Sequence, residues 1–157
     1  MNATISRPKI SNWETSNIPN LTGKTALITG ANSGLGYYTA KALAEKNAHV
    51  VIACRSLEKA NQTIKKLKGL NPEGLFTPLE LDLSDLKNIV EVQSKIFDNF
   101  ENLDLLINNA GIMHPPKTLS AQGYEIQFAV NHLAHMLLTL KLLPIIEKKE
   151  ESRIVTV

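Results

Sequence analysis

Short apolar runs alternate along the chain with longer segments in which apolar residues recur at helical spacing. Strands are predicted over 25–29, 49–53, 103–107 and 153–157, and a further strand is predicted within 75–83. The runs are rich in Val, Ile, Leu and Thr, and they are apolar at consecutive positions. Continuous apolar runs of this kind are typical of strands that are buried on both faces of a parallel sheet.

The segments between these strands have the periodicity and the end signals of helices. One helix is predicted over 34–47, and a long one over 121–147. Ser56 is a candidate N-cap for a second helix, and Ser84 or Asp85 for a third. The apolar positions of the second helix are Leu57, Ala60, Ile64 and Leu67. Those of the third are Leu86, Ile89, Val90, Ile96 and Phe97.

The regular alternation of strand and helix predicts an α/β fold in which a five-stranded parallel sheet has helices on both faces. Right-handed crossovers make such a sheet doubly wound and Rossmann-like. The 157 residues suffice for one domain. We expect an N-terminal arm over 1–20, which is polar and turn-rich, and the domain itself over 21–157.

Composition narrows the function classes without selecting one. The formal net charge is +2, so nothing suggests a nucleic-acid partner. Cys54 is the only cysteine, which excludes an internal disulfide. No secretory leader is evident, and the most apolar helical stretch, 136–146, is interrupted by Thr139, Lys141 and Pro144. We therefore expect a cytoplasmic protein without a transmembrane segment.

A glycine-rich loop follows the first predicted strand and leads into the first helix. It reads TGANSGLG over 29–36. Glycines permit a tight turn, and the free N–H groups of the first helical turn attract phosphate. A glycine-rich turn without a ligand is the alternative. The candidate phosphate-binding residues are Gly30, Asn32, Ser33, Gly34, Leu35 and Gly36.

Three further motifs follow in order, two after strands and one on the long helix. They are Leu81-Asp82-Leu83, Asn108-Asn109-Ala110-Gly111 and Asn131-His132-Leu133-Ala134-His135. Together with the glycine-rich loop they resemble the motifs of the short-chain dehydrogenase/reductases. The version here is similar to retinol-dehydrogenase-like and light-dependent protochlorophyllide-reductase-like members. The resemblance covers nearly the whole chain from Trp13 onward.

The resemblance implies a role for each motif, and each role has a structural alternative. Asp82 and Leu83 would contact the adenine, or Asp82 would only help to begin the next helix. Asn109, Ala110 and Gly111 would border the cofactor, or would form a structural turn. Asn131 would be the catalytic asparagine that holds a water of the proton relay, or would only kink its helix or bond to a neighbouring strand.

The end of the second strand indicates which nicotinamide cofactor is bound. Enzymes that use NAD usually carry an acid there for the ribose hydroxyls. This chain reads Ala53-Cys54-Arg55-Ser56 instead. Arg55, with Lys59 nearby, offers cationic groups to a 2′-phosphate. We therefore predict NADP(H); the alternative is that Arg55 is merely solvated.

The other catalytic residues that the resemblance implies, a serine and a Tyr-x-x-x-Lys pair, are expected beyond the fifth strand. Tyr37 and Lys41 have the right spacing but lie on the first helix, so we interpret them as coincidental. We expect the chain to carry the NADP(H)-binding half of an oxidoreductase that reduces a carbonyl or oxidises an alcohol, and to be inactive alone. The alternatives are a light-dependent protochlorophyllide-reductase-like oxidoreductase and a non-catalytic NADP(H)-binding module.

The sequence also bears on metal binding and on oligomerisation. His132 and His135, three residues apart, should share a helix face, but no third metal ligand is evident, so we predict no metal site. The exposed face of the long helix and the open sheet edge at the fifth strand favour a homo-oligomer.

Overall fold

A computed structural model describes residues 13–157 of the chain. Its five strands are β1 (Thr25–Thr29), β2 (His49–Cys54), β3 (Phe76–Glu80), β4 (Leu105–Asn108) and β5 (Arg153–Thr156). Its helices are α1 (Gly34–Ala44), α2 (Leu57–Leu70), α3 (Leu86–Asn99) and a helix over Ile126–Ile146, called the long helix below. A short 3-10 turn, Thr15–Asn17, precedes β1.

The strands form one parallel sheet in the order β3-β2-β1-β4-β5. The chain thus runs outward from β1 to β3 on one side and then returns to the other side of β1. The doubly wound, Rossmann-like fold that the sequence predicted is confirmed. The reversal places a crevice between the carboxyl ends of β1 and β4, which is where ligands bind in open α/β sheets.

The apolar residues bury themselves in two clusters, one on each face of the sheet. Helices α1 and α2 pack over Ala26, Ile28 and Ile52, while α3 and the long helix pack over Leu27 and Leu106. Alternate residues of β1 therefore face opposite clusters, as the two-residue period of a strand requires. The continuous apolar run in β1 follows from this two-sided burial.

The two outer strands are less buried than the apolar pattern predicted. Three of the five residues of β3 are half-buried, and Pro78 lies within it, a residue that edge strands tolerate. All four residues of β5 are exposed. Its outer edge, and the surfaces above and below it, have no partner among residues 13–157, whereas β1 lies between two strands.

The buried faces of α2 and α3 differ in detail from the predicted ones. Leu57, Val90 and Phe97 are largely exposed, whereas Thr63 and Val92 are buried. Thr63 is accommodated because its hydroxyl donates to the Lys59 carbonyl at 2.8 Å. Which part of the apolar face of each helix is buried depends on the sheet and on the neighbouring helices, and periodicity alone does not determine it.

The long helix begins five residues later than predicted. Gly123 has a φ of +83°, and the Glu125 carboxylate then accepts hydrogen bonds from the Gln127 and Phe128 amides, so that Glu125 is the N-cap. Residues Ala129–Leu133 form a π-helical turn. The backbone amide bonds of Gln127 and Phe128 hold the pKa of the Glu125 carboxyl below its ordinary value.

Pro144 does not interrupt the long helix. It lies on the exposed side, so the Leu140 carbonyl, which loses its N–H partner, can be solvated. An 18-residue window of the continuous helix has a mean hydropathy of 1.4, so the helix could cross a membrane by length and composition alone. Of this window 44% is buried within the domain, where the helix packs on α3 and β4, and the expected absence of a transmembrane segment stays a prediction.

The last part of the predicted arm contacts the turn between α1 and β2. Lys46 Nζ donates to the Ser16 carbonyl at 2.9 Å, and Asn47 Nδ2 donates to Asn20 Oδ1 at 3.0 Å. Residues 1–12 of the predicted arm lie outside the described residues. The division at residue 20 stays a prediction.

Asp104 joins the amino ends of the strands, opposite the crevice. Only 3% of it is exposed, and it accepts hydrogen bonds from the Thr25 amide and Asn102 Nδ2, both at 2.9 Å, and forms an ion pair with Lys24 at 3.0 Å. We expect Asp104→Ala to lower the free energy of unfolding by about 2–3 kcal/mol, because it leaves these donors unpaired. Urea unfolding of the purified chain measures this.

Glu151 offers a matched control for Asp104. Its carboxylate lies 3.9 Å from the same Lys24 ammonium, but its side chain is 83% exposed. Exposed ion pairs contribute little, so Glu151→Ala should change the free energy of unfolding by less than about 0.5 kcal/mol. Equal losses from the two substitutions would contradict the importance of the buried hydrogen bonds.

Candidate functional site

The glycine-rich loop crosses directly over the end of β4. Gly30 has a φ of +66°, and a Cβ there would lie 2.9 Å from the Ala110 Cα. A Cβ on Gly36 would lie 2.5 Å from Asn109 Nδ2 and 2.6 Å from the Gly30 carbonyl oxygen. Gly34, the first residue of α1, has a φ of +54°. Close packing thus requires glycine at Gly30 and Gly36, and a positive φ favours glycine at Gly30 and Gly34.

Thr29 and Asn109 bind this loop to the turn after β4. Thr29 Oγ1 accepts hydrogen bonds from the Asn109 and Ala110 amides, both at 2.9 Å, and Asn109 Nδ2 donates to the Thr29 carbonyl at 2.9 Å. Asn109 therefore acts mainly as a brace between two strand ends. The two segments cannot move independently while these bonds persist.

A cleft of about 590 Å³ lies at the carboxyl ends of β1, β2 and β3, beside this brace. Its volume is in the usual range for a small-molecule or cofactor site. A more open hollow of about 630 Å³, between Phe97–Asn102 and Lys148–Lys149, lies at the amino ends of the strands. We select the first because ligands of open α/β sheets bind at the carboxyl ends.

The end of β2 supplies two cations to the cleft. Arg55 and Lys59 are exposed, and neither forms an ion pair with a residue of the described chain. Ser56 caps α2 by accepting the Lys59 amide at 3.3 Å, as predicted. Burial raises the pKa of the neighbouring Cys54 thiol, so this group adds no negative charge near neutral pH.

Asp82 lies at the opposite rim of the cleft. Its Oδ1 accepts hydrogen bonds from the Ser84 amide at 2.8 Å and the Ser84 hydroxyl at 2.6 Å. The N-cap of α3 is Asp85, but the bonds of Asp82 hold the turn that leads into α3, as the structural alternative expects, and the adenine contact of Asp82 stays a prediction. Asp82 Oδ2 has no hydrogen-bond partner among residues 13–157. Leu83, which is buried, forms part of the same wall.

The segment between β4 and the long helix closes one side of the cleft. Gln122 fastens it to the start of α3, because its Nε2 donates to Asp85 Oδ1 at 2.6 Å and its Oε1 accepts the Leu86 amide at 3.0 Å. The Gln122 hydrogen bond is the largest cause that holds the pKa of the half-buried Asp85 carboxyl below its ordinary value. Ile112, Leu119 and Val130 give this side an apolar surface.

Asn131 lies in the π-helical turn and does not line the cleft. Its Oδ1 accepts the Ile112 amide at 2.9 Å, and its Nδ2 donates to the Ile112 carbonyl at 2.9 Å. The side chain thus holds the segment that follows Gly111, and the irregular helix and this bond to a neighbouring segment both match the structural alternative. The catalytic role of Asn131 stays a prediction.

His132 and His135 do not share a helix face. His132 is exposed and stacks on Phe128 with ring centroids 5.4 Å apart, whereas His135 is only 5% exposed. The π-helical turn Ala129–Leu133, which contains His132, changes the angular spacing that an α-helix would give. Within residues 13–157, no three His, Cys, Asp or Glu side chains come together as metal ligands.

Tyr37 and Lys41 lie on α1, away from the cleft. Lys41 Nζ pairs with Glu45 at 2.7 Å, and its hydrogen bond with Glu45 raises the pKa of the lysine. Tyr37 contacts Tyr38 edge to face at 5.5 Å. Because neither side chain lines the cleft, this geometry does not support a catalytic role for Tyr37 and Lys41.

The loop, the brace and the cleft correspond to a known family. The family model described as short chain dehydrogenase matches residues 24–157. The chain belongs to this family. Human retinol dehydrogenase 13 is 42% identical over 133 residues, a match that covers 85% of this chain and 40% of that protein. The predicted resemblance to retinol-dehydrogenase-like short-chain dehydrogenases is confirmed; the one to light-dependent protochlorophyllide reductases stays a prediction.

Two solved structures share this fold. An uncharacterised protein from Mycobacterium paratuberculosis has a TM-score of 0.75 and 39% identity, over 85% of this chain and 47% of that one. A short-chain dehydrogenase from Escherichia coli CFT073, complexed with NADPH, has a TM-score of 0.76 and 26% identity, over 87% and 59%. This chain therefore spans well under two thirds of the length of these relatives.

The structure divides the predicted site residues into two groups. Eight line the cleft: Gly30, Asn32, Arg55, Lys59, Asp82, Leu83, Ala110 and Gly111. Six do not: Ser33, Gly34, Leu35, Gly36, Asn109 and Asn131. Leu35 is 71% exposed, and Ser33, the N-cap of α1, makes no side-chain cap bond.

The sequence pattern does not identify the residues whose hydrogen bonds position the turn beside the cleft. The sequence pattern indicates Thr29 only as the end of a strand and the start of the glycine-rich loop, and His135 only as part of the motif over 131–135 and as a histidine without metal partners. The signal for Thr29 is a hydroxyl at the last position of an otherwise apolar buried strand. No local signal identifies Ile112 or Val130 as cleft residues, because they reach the cleft through the folding of the segment after β4.

Proposed function

We propose that this chain forms the NADP(H)-binding part of a short-chain dehydrogenase-type oxidoreductase, which in its complete form reduces a carbonyl or oxidises an alcohol. The observation that carries the proposal is the cleft at the carboxyl ends of the strands. One of its walls is a glycine loop at a helix N-terminus, and its mouth has two cations without an acidic partner. These features suit a dinucleotide with an additional phosphate.

The donor set fits NADP(H) better than NAD(H). A carboxylate at the end of β2 would accept hydrogen bonds from ribose hydroxyls, but it would repel a 2′-phosphate. Arg55 presents instead a planar guanidinium, which can bind phosphate oxygens in a bidentate manner, and Lys59 adds a second positive charge. The NADPH of the Escherichia coli relative supports the same assignment.

Each part of the site has a distinct task in this proposal. The glycine loop, of which Gly30 and Asn32 line the cleft, and the dipole of α1 would stabilise the pyrophosphate. Asp82 Oδ2 accepts from the adenine amino group, with Leu83 against the ring. Asn109 and Thr29 keep Ala110 and Gly111 clear of the ribose. Asn131 positions the segment around Ile112 through its two hydrogen bonds with the Ile112 backbone. The cofactor, when bound, supplies or accepts a hydride.

The substrate would be a small molecule with a carbonyl or an alcohol, and Ile112 and Val130 give the cleft an apolar wall. A retinol-like alcohol is consistent with the human relative. Association of two copies through β5 or the long helix, and a cytoplasmic location, remain part of the proposal; the apolar length of the long helix makes membrane attachment the competing location.

The test is calorimetric titration of the purified chain with NADPH and, separately, with NADH. We expect NADPH to bind at least about tenfold more tightly, a difference of about 1.4 kcal/mol. Preferential binding of NADH would contradict the assignment of the cofactor. Failure of a folded chain, verified by circular dichroism, to bind either cofactor would contradict the proposed function.

A further inference from the structure

We propose that His135 is a positioning residue of the cofactor site, which accepts the proton of the Thr29 hydroxyl and so leaves both oxygen lone pairs for the amides of the turn after β4. This inference rests on the proposed function, since the turn borders the proposed cofactor cleft. His135 has no contact with the cleft itself. It would act only through Thr29.

The hydrogen-bond count at Thr29 Oγ1 fixes the direction of each bond. A hydroxyl has one proton and two lone pairs. The Asn109 and Ala110 amides, both at 2.9 Å, can only donate, so they occupy the two lone pairs. The single proton must therefore leave toward His135 Nε2 at 2.9 Å or toward the Ile107 carbonyl at 3.4 Å. The nitrogen is the closer acceptor.

The same count fixes the state of the imidazole. Nε2 must carry a lone pair to accept from Thr29, so in the neutral ring the proton resides on Nδ1. Nδ1 lies 3.3 Å from the Asn131 carbonyl oxygen, which can accept that proton. Both ring nitrogens thus have a suitable partner in one tautomer only. A proton on Nε2 would instead face an oxygen without a free lone pair.

The surroundings of His135 disfavour a charged ring. Burial lowers the pKa of His135, and the hydrogen bond with the Asn131 carbonyl opposes this only in part. Strands β1 and β4 have no titratable side chain, and on the long helix the nearest such groups, His132 and Lys141, are exposed and half-buried. The neutral ring is therefore maintained by desolvation and by the hydrogen-bond pattern, with no carboxylate to stabilise a cation.

His135 consequently connects two parts of the site that are far apart in sequence. Through Nδ1 it contacts the π-helical turn that carries Asn131, and through Nε2 it contacts the strand end that carries the glycine loop. Removing the His135 acceptor leaves the Thr29 proton only the Ile107 carbonyl at 3.4 Å, so the hydroxyl must shift toward that oxygen and its bonds with the two amides are weakened. Ala110 and Gly111 would then move relative to Gly30, with which Ala110 is in close contact.

The first arm of the test determines the tautomer without any cofactor. Nitrogen-15 NMR of the histidine rings, with His135 assigned by its loss in His135→Gln, should show a protonated Nδ1 and an unprotonated Nε2 at neutral pH. A proton on Nε2 would overturn the inference. This arm does not depend on the proposed function.

The second arm measures binding of NADP⁺, which withstands acidic buffers better than NADPH does. His135→Phe keeps the shape of the ring without an acceptor and should weaken NADP⁺ binding about tenfold, as expected for one lost hydrogen bond of about 1.4 kcal/mol. His135→Gln keeps an acceptor at a similar reach and should bind within about threefold of the unchanged chain. Equal binding by all three proteins would overturn the inference and leave the proposed function intact.

The pH profile separates positioning from simple packing. The 2′-phosphate itself gains a proton near pH 6, so the unchanged chain is compared with His135→Gln at each pH. The ratio of their affinities should stay constant at and above the ordinary histidine pKa of 6.5, and it should fall only at the lower pH where His135, whose pKa burial lowers, becomes protonated. A ratio that stays constant over the pH range in which nitrogen-15 NMR shows His135 taking up its proton would overturn the inference. Failure of the unchanged chain to bind NADP⁺ would overturn the proposed function as well.

Discussion

Arg55→Asp should weaken NADPH binding about 100-fold, or about 2.7 kcal/mol, while NADH binding changes less than about threefold. The substitution removes charge-assisted hydrogen bonds, worth about 1.5–3 kcal/mol, and places a like charge beside the 2′-phosphate. A carboxylate at the end of β2 is also the group that suits ribose hydroxyls, so NADH has no comparable loss. Titration of the two cofactors into the two proteins measures the change in preference.

Arg153 offers the matched control for Arg55. It is exposed at the start of β5, near the amino ends of the strands, and its Nη1 donates only to the Ser152 carbonyl. Arg153→Asp makes the same change in net charge, so its effect on NADPH measures the long-range electrostatic contribution, which salt screens. Equal losses from both variants, or an equal loss of NADPH and NADH in Arg55→Asp, would refute the assignment of Arg55.

Gly36→Ala should lower the free energy of unfolding by about 3 kcal/mol and abolish measurable cofactor binding. Alanine is ordinarily favourable in a helix, by about 1 kcal/mol relative to glycine. At this position its Cβ would approach the Asn109 amide and the Gly30 carbonyl to about the length of a short hydrogen bond, and both belong to the braced loop. Overpacking of this kind costs about 1–3 kcal/mol, and here the atoms that must move define the phosphate site.

Gly69 distinguishes this packing effect from helix propensity. It lies in the last turn of α2, and a Cβ there would meet nothing within 4 Å. Gly69→Ala should therefore raise the free energy of unfolding by about 0.5–1 kcal/mol and leave NADPH binding unchanged. Urea unfolding and calorimetry on both variants make the comparison. Stabilisation by Gly36→Ala would show that the loop does not pack as closely over Asn109 as the structure has it.

The stability of the chain should also depend on pH through His135. Its pKa is lowered in the folded chain from an ordinary value of 6.5. At and below the ordinary pKa the unfolded chain binds more protons than the folded chain does. The free energy of unfolding is therefore at its full value above about pH 6.5, and it falls as the pH drops from there through the lowered pKa of the folded chain. His49, whose pKa burial also lowers, contributes in the same direction, which is why the cofactor experiment uses His135→Gln as its reference.

The fold could be predicted well because its signals are local and mutually consistent. The run over 25–29 was predicted to the residue, and Ser56 was identified as a cap, since a short apolar run and a hydroxyl before a periodic segment are read from neighbouring positions. The start of the long helix was misplaced because Gly123 and Glu125, and not the beginning of apolar periodicity, determine where it begins. The predicted interruption of the helix at Pro144 is wrong, because the energetic cost of a proline in a helix depends on whether the carbonyl that it leaves unpaired can reach solvent.

The sequence by itself determined the parallel sheet, the position of the glycine loop, and the replacement of an acid by Arg55 at the end of β2. Each depends on residue type and spacing along one segment. Only the tertiary structure decided that Asn109 is a brace, that Asn131 supports Ile112, and that His135 reaches Thr29, because each of these bonds joins residues that are distant in sequence or depends on a π-helical turn. Hydrogen-bond partners across a core are selected by packing, and packing has no period that one strand or helix displays.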